Sequence, residues 1–335
     1  MSNSHHKFRP LPFLKNRHIQ TFLGAFVDNS PFEFPSLDVI LKLPDGDSLF
    51  LVVSEPENWQ PPQPTVVLVH GLTGSHRSGM MVRVGKRLYE KGWRVIRMNQ
   101  RSAGAGLPYA KKPYHAGRSD DVRAVLENFQ VPGKNCPTFI VGFSLGGNLV
   151  LKLAGEQPNL EGLAGVAAMG PPIDLAKCSD LIGRKSNQVY EKHFLSNLLQ
   201  DVKRRLRYYP GIPNINFPKD LSIRLFDELY TAPSAGYGSV EEYYFKCSTT
   251  HLIDQIKVPT LILTAKDDPF IAPEPFESLK VPAHIQLCIQ ESGGHLGFLG
   301  KDGAGGIRWG ESRIISWLAD MAQKKTAYHK ALGPA

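Results

Sequence analysis

Several things are scarce in these 335 residues. Cysteine occurs four times, at Cys136, Cys178, Cys247 and Cys288, with no pair spacing, so neither a zinc pattern nor a disulfide framework is available. A reducing, cytoplasmic setting fits that usage. No apolar run reaches the roughly 18 residues that a membrane-spanning helix needs, and the amino-terminal MSNSHHKFRPLPFLKNRH lacks the apolar heart of a signal peptide. A soluble chain is expected, with peripheral membrane contact left open. No G-x-G-x-x-G opens a helix after a strand, and no P-loop or H-E-x-x-H motif occurs. SAGAGLPYA (102–110) has two glycines and no following Lys-Ser/Thr. No cofactor and no metal are therefore expected. Internal repeats and low-complexity tracts are absent too.

Charge is moderate and slightly basic, 39 Lys and Arg against 31 Asp and Glu. A nucleic-acid partner would call for that excess to gather on one face or tail. One dense cluster exists, KRRLRYY at 203–209, and it reads either as a solvated helix face or as a surface for anionic substrates or lipid head groups. No nucleic-acid partner is expected.

What is present is a core-forming composition, 42% hydrophobic, in an alternating order of strand and helix. Residues 36–54 read as a hairpin around Pro-Asp-Gly-Asp. Then TVVLVH (65–70), WRVIRMN (93–99), TFIVGF (138–143), LAGVAAMG (163–170), PTLILTA (259–265) and AHIQLCIQ (283–290) read as strands. Between them fall amphipathic helices over 79–92, closed by Gly92, over 119–129, opened by Ser119 with Asp120 and Asp121, and after Ser144, where Lys152 is expected to face solvent. A last helix covers 309–325. The pattern predicts an α/β fold, a mostly parallel central sheet with helices on both faces. From Pro171 to Ile256 the rhythm breaks into charge- and aromatic-rich helical stretches. The expected division is therefore a core of 1–170 and 257–335 with a helical cap over 171–256.

Gly142-Phe143-Ser144-Leu145-Gly146 sits between a predicted strand and a predicted helix, the setting of a nucleophile elbow. Bulky side chains at 142 or 146 would crowd so sharp a bend. A serine hydroxyl needs a base, and the expected chain order is Ser, Asp or Glu, His. Asp267 and Asp268 follow one downstream strand, and His295 lies among Gly293, Gly294 and Gly297 after the next. Asp268 is favoured because the Asp-Pro step turns the chain, with Asp267 as the alternative. His115 and His251 compete for the role of base, and His70 is read as a support for the loop it begins. The oxyanion donors are expected to be the backbone N–H groups of Leu72, in HGLTGSH, and Leu145. Tyr190, Phe194, Leu195, Leu198 and Leu199 read as an acyl channel or as the core of the cap itself.

Taken together, NRHIQT (16–21), LPDGD (43–47), HGLTGS (70–75), YHAG (114–117), GFSLGGN (142–148), GYGSVEEYY (236–244), AKDDPF (265–270) and GGHLGF (293–298) resemble the YheT-like, or AB hydrolase-4, branch of the α/β-hydrolases. That resemblance implies an α/β-hydrolase fold with a helical cap, a triad of Ser144, Asp268 and His295, and a small-molecule ester or lipid as substrate. It implies a carboxylesterase or lipase, or an acyltransferase working through the same acyl-enzyme. A non-catalytic scaffold that binds a lipid or partner is the remaining reading. Arg101-Ser102-Ala103 stands where the family often has Arg-Gly-Cys, a departure expected to bear on substrate preference.

Overall fold

The computed structural model describes residues 7–26, 34–131, 136–303 and 305–332; residues 1–6 of the amino-terminal stretch and 333–335 of the carboxyl-terminal span lie outside the described residues. Eight strands form one sheet in the order β1-β2-β4-β3-β5-β6-β7-β8. The hairpin of β1 (Leu37–Lys42) and β2 (Ser48–Ser54) turns through Gly46 at φ 90°, and β2 pairs antiparallel with β4 (Arg94–Met98). β3 (Thr65–Val69), β5 (Thr138–Phe143), β6 (Leu163–Met169), β7 (Thr260–Ala265) and β8 (Ile285–Gln290) run parallel to their neighbours.

The central strands are apolar throughout because both faces are covered. Along β3 the alternation is direct: Val67 and Val69 join one core layer, with α3 (Ser119–Phe129) and α4 (Leu145–Glu156), while Val66 and Leu68 join the other, with α2 (Gly79–Tyr89) and the closing helix Trp309–Leu332. The chain leaves β3 toward β4 on one side and leaves β5 toward β6 on the other. The crevice between the carboxyl ends of β3 and β5 is thus a topological switch point, where such sheets collect their sites. A further helix, α1 (Arg17–Phe26), precedes the sheet in the chain.

Between β6 and β7 the chain makes α5 (Leu175–Ile182), the long α6 (Gln188–Tyr208), short helical turns over 223–234 and the helix Val240–Cys247. These carry two small apolar clusters of their own, one around Tyr243 and Tyr244 and one joining Leu195, Leu198 and Val202 to Phe226 and Tyr230.

Three local expectations need correction. Lys152 does not face solvent; it is 6% exposed, and its Nζ donates to Glu156 Oε1 at 2.6 Å and to the Lys246 carbonyl at 2.9 Å, because the helix Val240–Cys247 packs over that side of α4. Ser119 does not cap α3; Arg118 holds the cap position, Ser119 Oγ donates to Glu156, and Asp121 is drawn into ion pairing with Arg101. The basic run 203–209 is not uniformly solvated: Lys203, Arg204 and Arg207 are exposed, whereas Arg205 is buried.

Candidate active site

Ser144 stands between the last residue of β5 and the first of α4, at φ 52° and ψ −122°, a left-handed conformation that a non-glycine residue adopts at a cost. The surroundings force it. A Cβ on Gly142 would come within 2.1 Å of the Gly146 carbonyl oxygen, and one on Gly146 within 2.3 Å of the Val69 carbonyl oxygen. The Ser144 N–H donates to Met169 O at 2.9 Å, which pins the turn to β6.

Asp268 follows β7 and is 3% exposed. Its Oδ1 accepts from the N–H groups of Phe270 and Ile271 at 2.8 and 3.1 Å, which leaves Oδ2 to meet His295 Nδ1 at 2.8 Å. His295 Nε2 lies 3.0 Å from Ser144 Oγ. The three side chains thus form one hydrogen-bonded line, and the Phe270 ring stands edge-on to the imidazole at 4.8 Å. Asp267 points elsewhere: its Oδ1 accepts from Gly294 N at 2.9 Å, and burial pushes its pKa up.

The loop after β3 is held by side chains. His70 Nε2 accepts from the Gln100 backbone N–H at 3.1 Å, so the proton sits on Nδ1, which donates to Gly71 O at 2.8 Å. Burial lowers the His70 pKa to about 4, which keeps the ring neutral. The Thr73 N–H donates to Tyr114 Oη at 2.8 Å. Leu72 and Leu145 both line the cavity beside Ser144. Their N–H groups have no acceptor among the described residues. His115 also lines this cavity, but its Nδ1 accepts from Gly117 N and it does not reach the serine–histidine pair; burial lowers its pKa to about 3. His251 is exposed and stacks on Phe245.

Two hollows meet at Ser144 and His295. One, of about 130 Å³, is mostly apolar and runs under α5, α6 and the helix Val240–Cys247. The other, of about 640 Å³, is wider and runs between α1, the loop after β3 and the start of α6. Phe194 lines both, and Leu198 lines the first while packing with Leu195 and Val202, so the α6 stripe divides between wall and core. Tyr190 and Phe194 both stand edge-on to Phe270.

Sequence reasoning missed the supports. Thr21 of α1 accepts from His295 N at 2.9 Å, and the Gln20 side chain bridges Leu14 O, Leu299 O and Leu299 N. NRHIQT therefore clamps the histidine loop. Arg101 pairs with Asp45, Asp47 and Asp121, so LPDGD anchors the loop that brings Ser102 to the cavity. The shared signal was two polar motifs with no chemistry of their own. Among the described residues no cluster of His, Cys, Asp and Glu could hold a metal ion, and no helix is long and apolar enough to cross a membrane.

Residues 64–302 match the family described as the alpha/beta hydrolase fold. The YheT protein of Escherichia coli (strain K12) is 32% identical over 327 residues, covering 96% of this chain and 95% of its own length. Phospholipase ABHD3 of Mus musculus is 26% identical over 289 residues, 84% of this chain and 70% of its own. Among solved structures, 2,6-dihydroxy-pseudo-oxynicotine hydrolase superposes with a TM-score of 0.57 at 19% identity, over 91% of this chain and 72% of that one, which speaks for the fold alone. With a family match across most of its length and a relative that shares nearly all of it, the chain belongs to the α/β-hydrolase superfamily, in its YheT-like branch.

Proposed function

We propose that this chain is a carboxylic ester hydrolase that works through an acyl-enzyme on Ser144. The carrying observation is the continuous line from Asp268 through His295 to Ser144, at 2.8 and 3.0 Å. In this reading Ser144 Oγ attacks the ester carbonyl carbon as His295 Nε2 takes its proton. The same proton then goes to the leaving alcohol. Asp268, held by two backbone N–H groups, fixes the imidazole tautomer and stabilises the imidazolium. The N–H groups of Leu72 and Leu145 receive the oxyanion, each donor being worth about 2.7–4 kcal/mol of barrier. Water deacylates the serine by the same steps in reverse. The apolar hollow takes the acyl chain, and the segment 171–256 acts as the cap that keeps it dry. A relative that bears the name of a phospholipase supports an ester of this class as the substrate.

Ser144→Ala is the test. Turnover of a short nitrophenyl ester should fall by at least about 10³-fold, and labelling by a fluorophosphonate should vanish. Wild-type activity in that variant would defeat the assignment.

A further inference from the structure

The apolar hollow is not apolar throughout. Besides His115 and His295, its wall carries two carboxyl groups and a guanidinium, those of Asp201, Asp227 and Arg205. Both carboxylates have partners. Asp201 lies 3.9 Å from Arg204, and Asp227 accepts a 2.8 Å hydrogen bond from Tyr244. Arg205 differs. It is 5% exposed, and among the described residues its Nε and Nη1 have no hydrogen-bond partner. Tyr230 offers it a ring face at 5.1 Å and a neighbouring hydroxyl. The Asp47 carboxylate, whose field reaches it, is already taken by Arg101 and by the N–H groups of Lys111 and Lys112.

A buried guanidinium stays charged, and without an oxyanion it bears a desolvation penalty that an aromatic face offsets only in part. Its fork of donors suits a carboxylate or a phosphate. Because Arg205 and Ser144 line one hollow, we propose that Arg205 is the subsite for an oxyanion, carboxylate or phosphate, on the part of the ester lodged there. This rests on the hydrolase reading above. It assigns the enzyme to amphiphilic anionic esters rather than neutral ones, and it gives a role to a buried cation whose Nε and Nη1 have no partner among the described residues.

The test compares matched substrates on the full chain. One arm sets nitrophenyl half-esters of dicarboxylic acids against nitrophenyl esters of monocarboxylic acids of equal length. The other sets monoacylglycerol phosphates against monoacylglycerols. In at least one arm, kcat/KM for the charged ester should exceed that for its neutral partner by roughly 10- to 100-fold, the worth of a charge-assisted hydrogen bond. The arm that shows it identifies the group. Arg205→Met and Arg205→Gln should collapse that ratio toward one while fluorophosphonate labelling persists. A ratio that stays the same in either folded variant would make Arg205 a prop for Tyr230 and overturn the subsite. So would a wild-type preference for the neutral ester in both arms at every length, a result that needs no variant. Failure of the hydrolase reading looks different: no turnover of any ester and no labelling of Ser144.

Discussion

At Gly142 the nearest neighbour of an added Cβ would be a backbone carbonyl oxygen at 2.1 Å; at Leu198 of α6 the neighbours are other side chains, Leu195, Val202, Ile223, Phe226 and Tyr230. The rim of the sheet and the segment between β6 and β7 are thus held in different ways. At the rim, backbone meets backbone and every reacting group follows a strand end. In the other segment, rings and aliphatic chains interdigitate. Backbone contacts cannot yield, whereas side-chain packing can be redrawn at modest cost. The rim accordingly suits reaction geometry, and the helical segment suits substrate choice.

The sharpest way to break that contrast is Gly142→Ala. No rotamer relieves a Cβ against a carbonyl, so the variant should lose about 3 kcal/mol or more, the upper end of overpacking costs. A melting curve checks this. An unshifted midpoint would mean that the turn is as adaptable as the helices.

Next in size is a pair at the rim. Asp268→Asn should reduce kcat by about 10⁴-fold, as loss of the orienting carboxylate does in other serine triads. Asp267→Asn, which touches the Gly294 N–H rather than the imidazole, should cost no more than about tenfold. Equal losses would show that the two carboxylates act as one unit.

That pair marks where the sequence stopped being readable. The elbow at Ser144 was legible because strand, glycines and helix are local, and the strands because β-branched runs buried on both faces have little else to become. Asp267 and Asp268 are adjacent, so spacing treats them alike, and only the Asp-Pro step favoured Asp268. The choice falls to the backbone beyond them, where the N–H groups of Phe270 and Ile271 take Oδ1 and turn Oδ2 to His295. Lys152 was misread, and the two readings of the run around Arg205 stayed open, for a related reason. Both lie on helices whose period is plain, but what covers a helix face comes from far along the chain: Lys246 in one case, Tyr230 in the other. Gln20 and Thr21 sit in NRHIQT, a motif whose purpose shows only beside the loop at 293–299 that they hold.

In the helical segment, Asp227 offers a test by pH. It is half-buried, and desolvation pushes its carboxyl pKa up to about 6 from an ordinary 3.8. A raised carboxyl pKa means that the folded chain holds the proton more tightly than the unfolded one. The stability this provides is present below pH 4 and is lost as pH climbs to 6. Asp227→Asn keeps an acceptor for Tyr244 without the charge, so its stability relative to wild type should rise between pH 4 and 7 and level off above. The gain should not exceed about 3 kcal/mol, the worth of two pKa units. A difference that is flat across that range would mean that Asp227 is solvated in the folded state.

The smallest effect expected is a change of preference without a change of mechanism. Leu198 lines the hollow beside Ser144 and is 9% exposed. Leu198→Trp adds bulk to a wall made of side chains, so the neighbours should shift and stability should fall by about 1–3 kcal/mol at most. The added ring takes volume from a space of about 130 Å³. Each methylene of acyl chain that no longer fits forfeits about 0.8 kcal/mol, roughly a fourfold loss in kcat/KM. The length profile of nitrophenyl esters should therefore move toward shorter chains by two carbons or more. Fluorophosphonate labelling of Ser144 should persist, because the α6 side chains that reach the rim through Phe270 are Tyr190 and Phe194, not Leu198. A profile that keeps its optimum would place the acyl chain in the wider groove beside α1 instead, and the division between a reacting rim and a selecting helical segment would have to be redrawn with α1 on the selecting side.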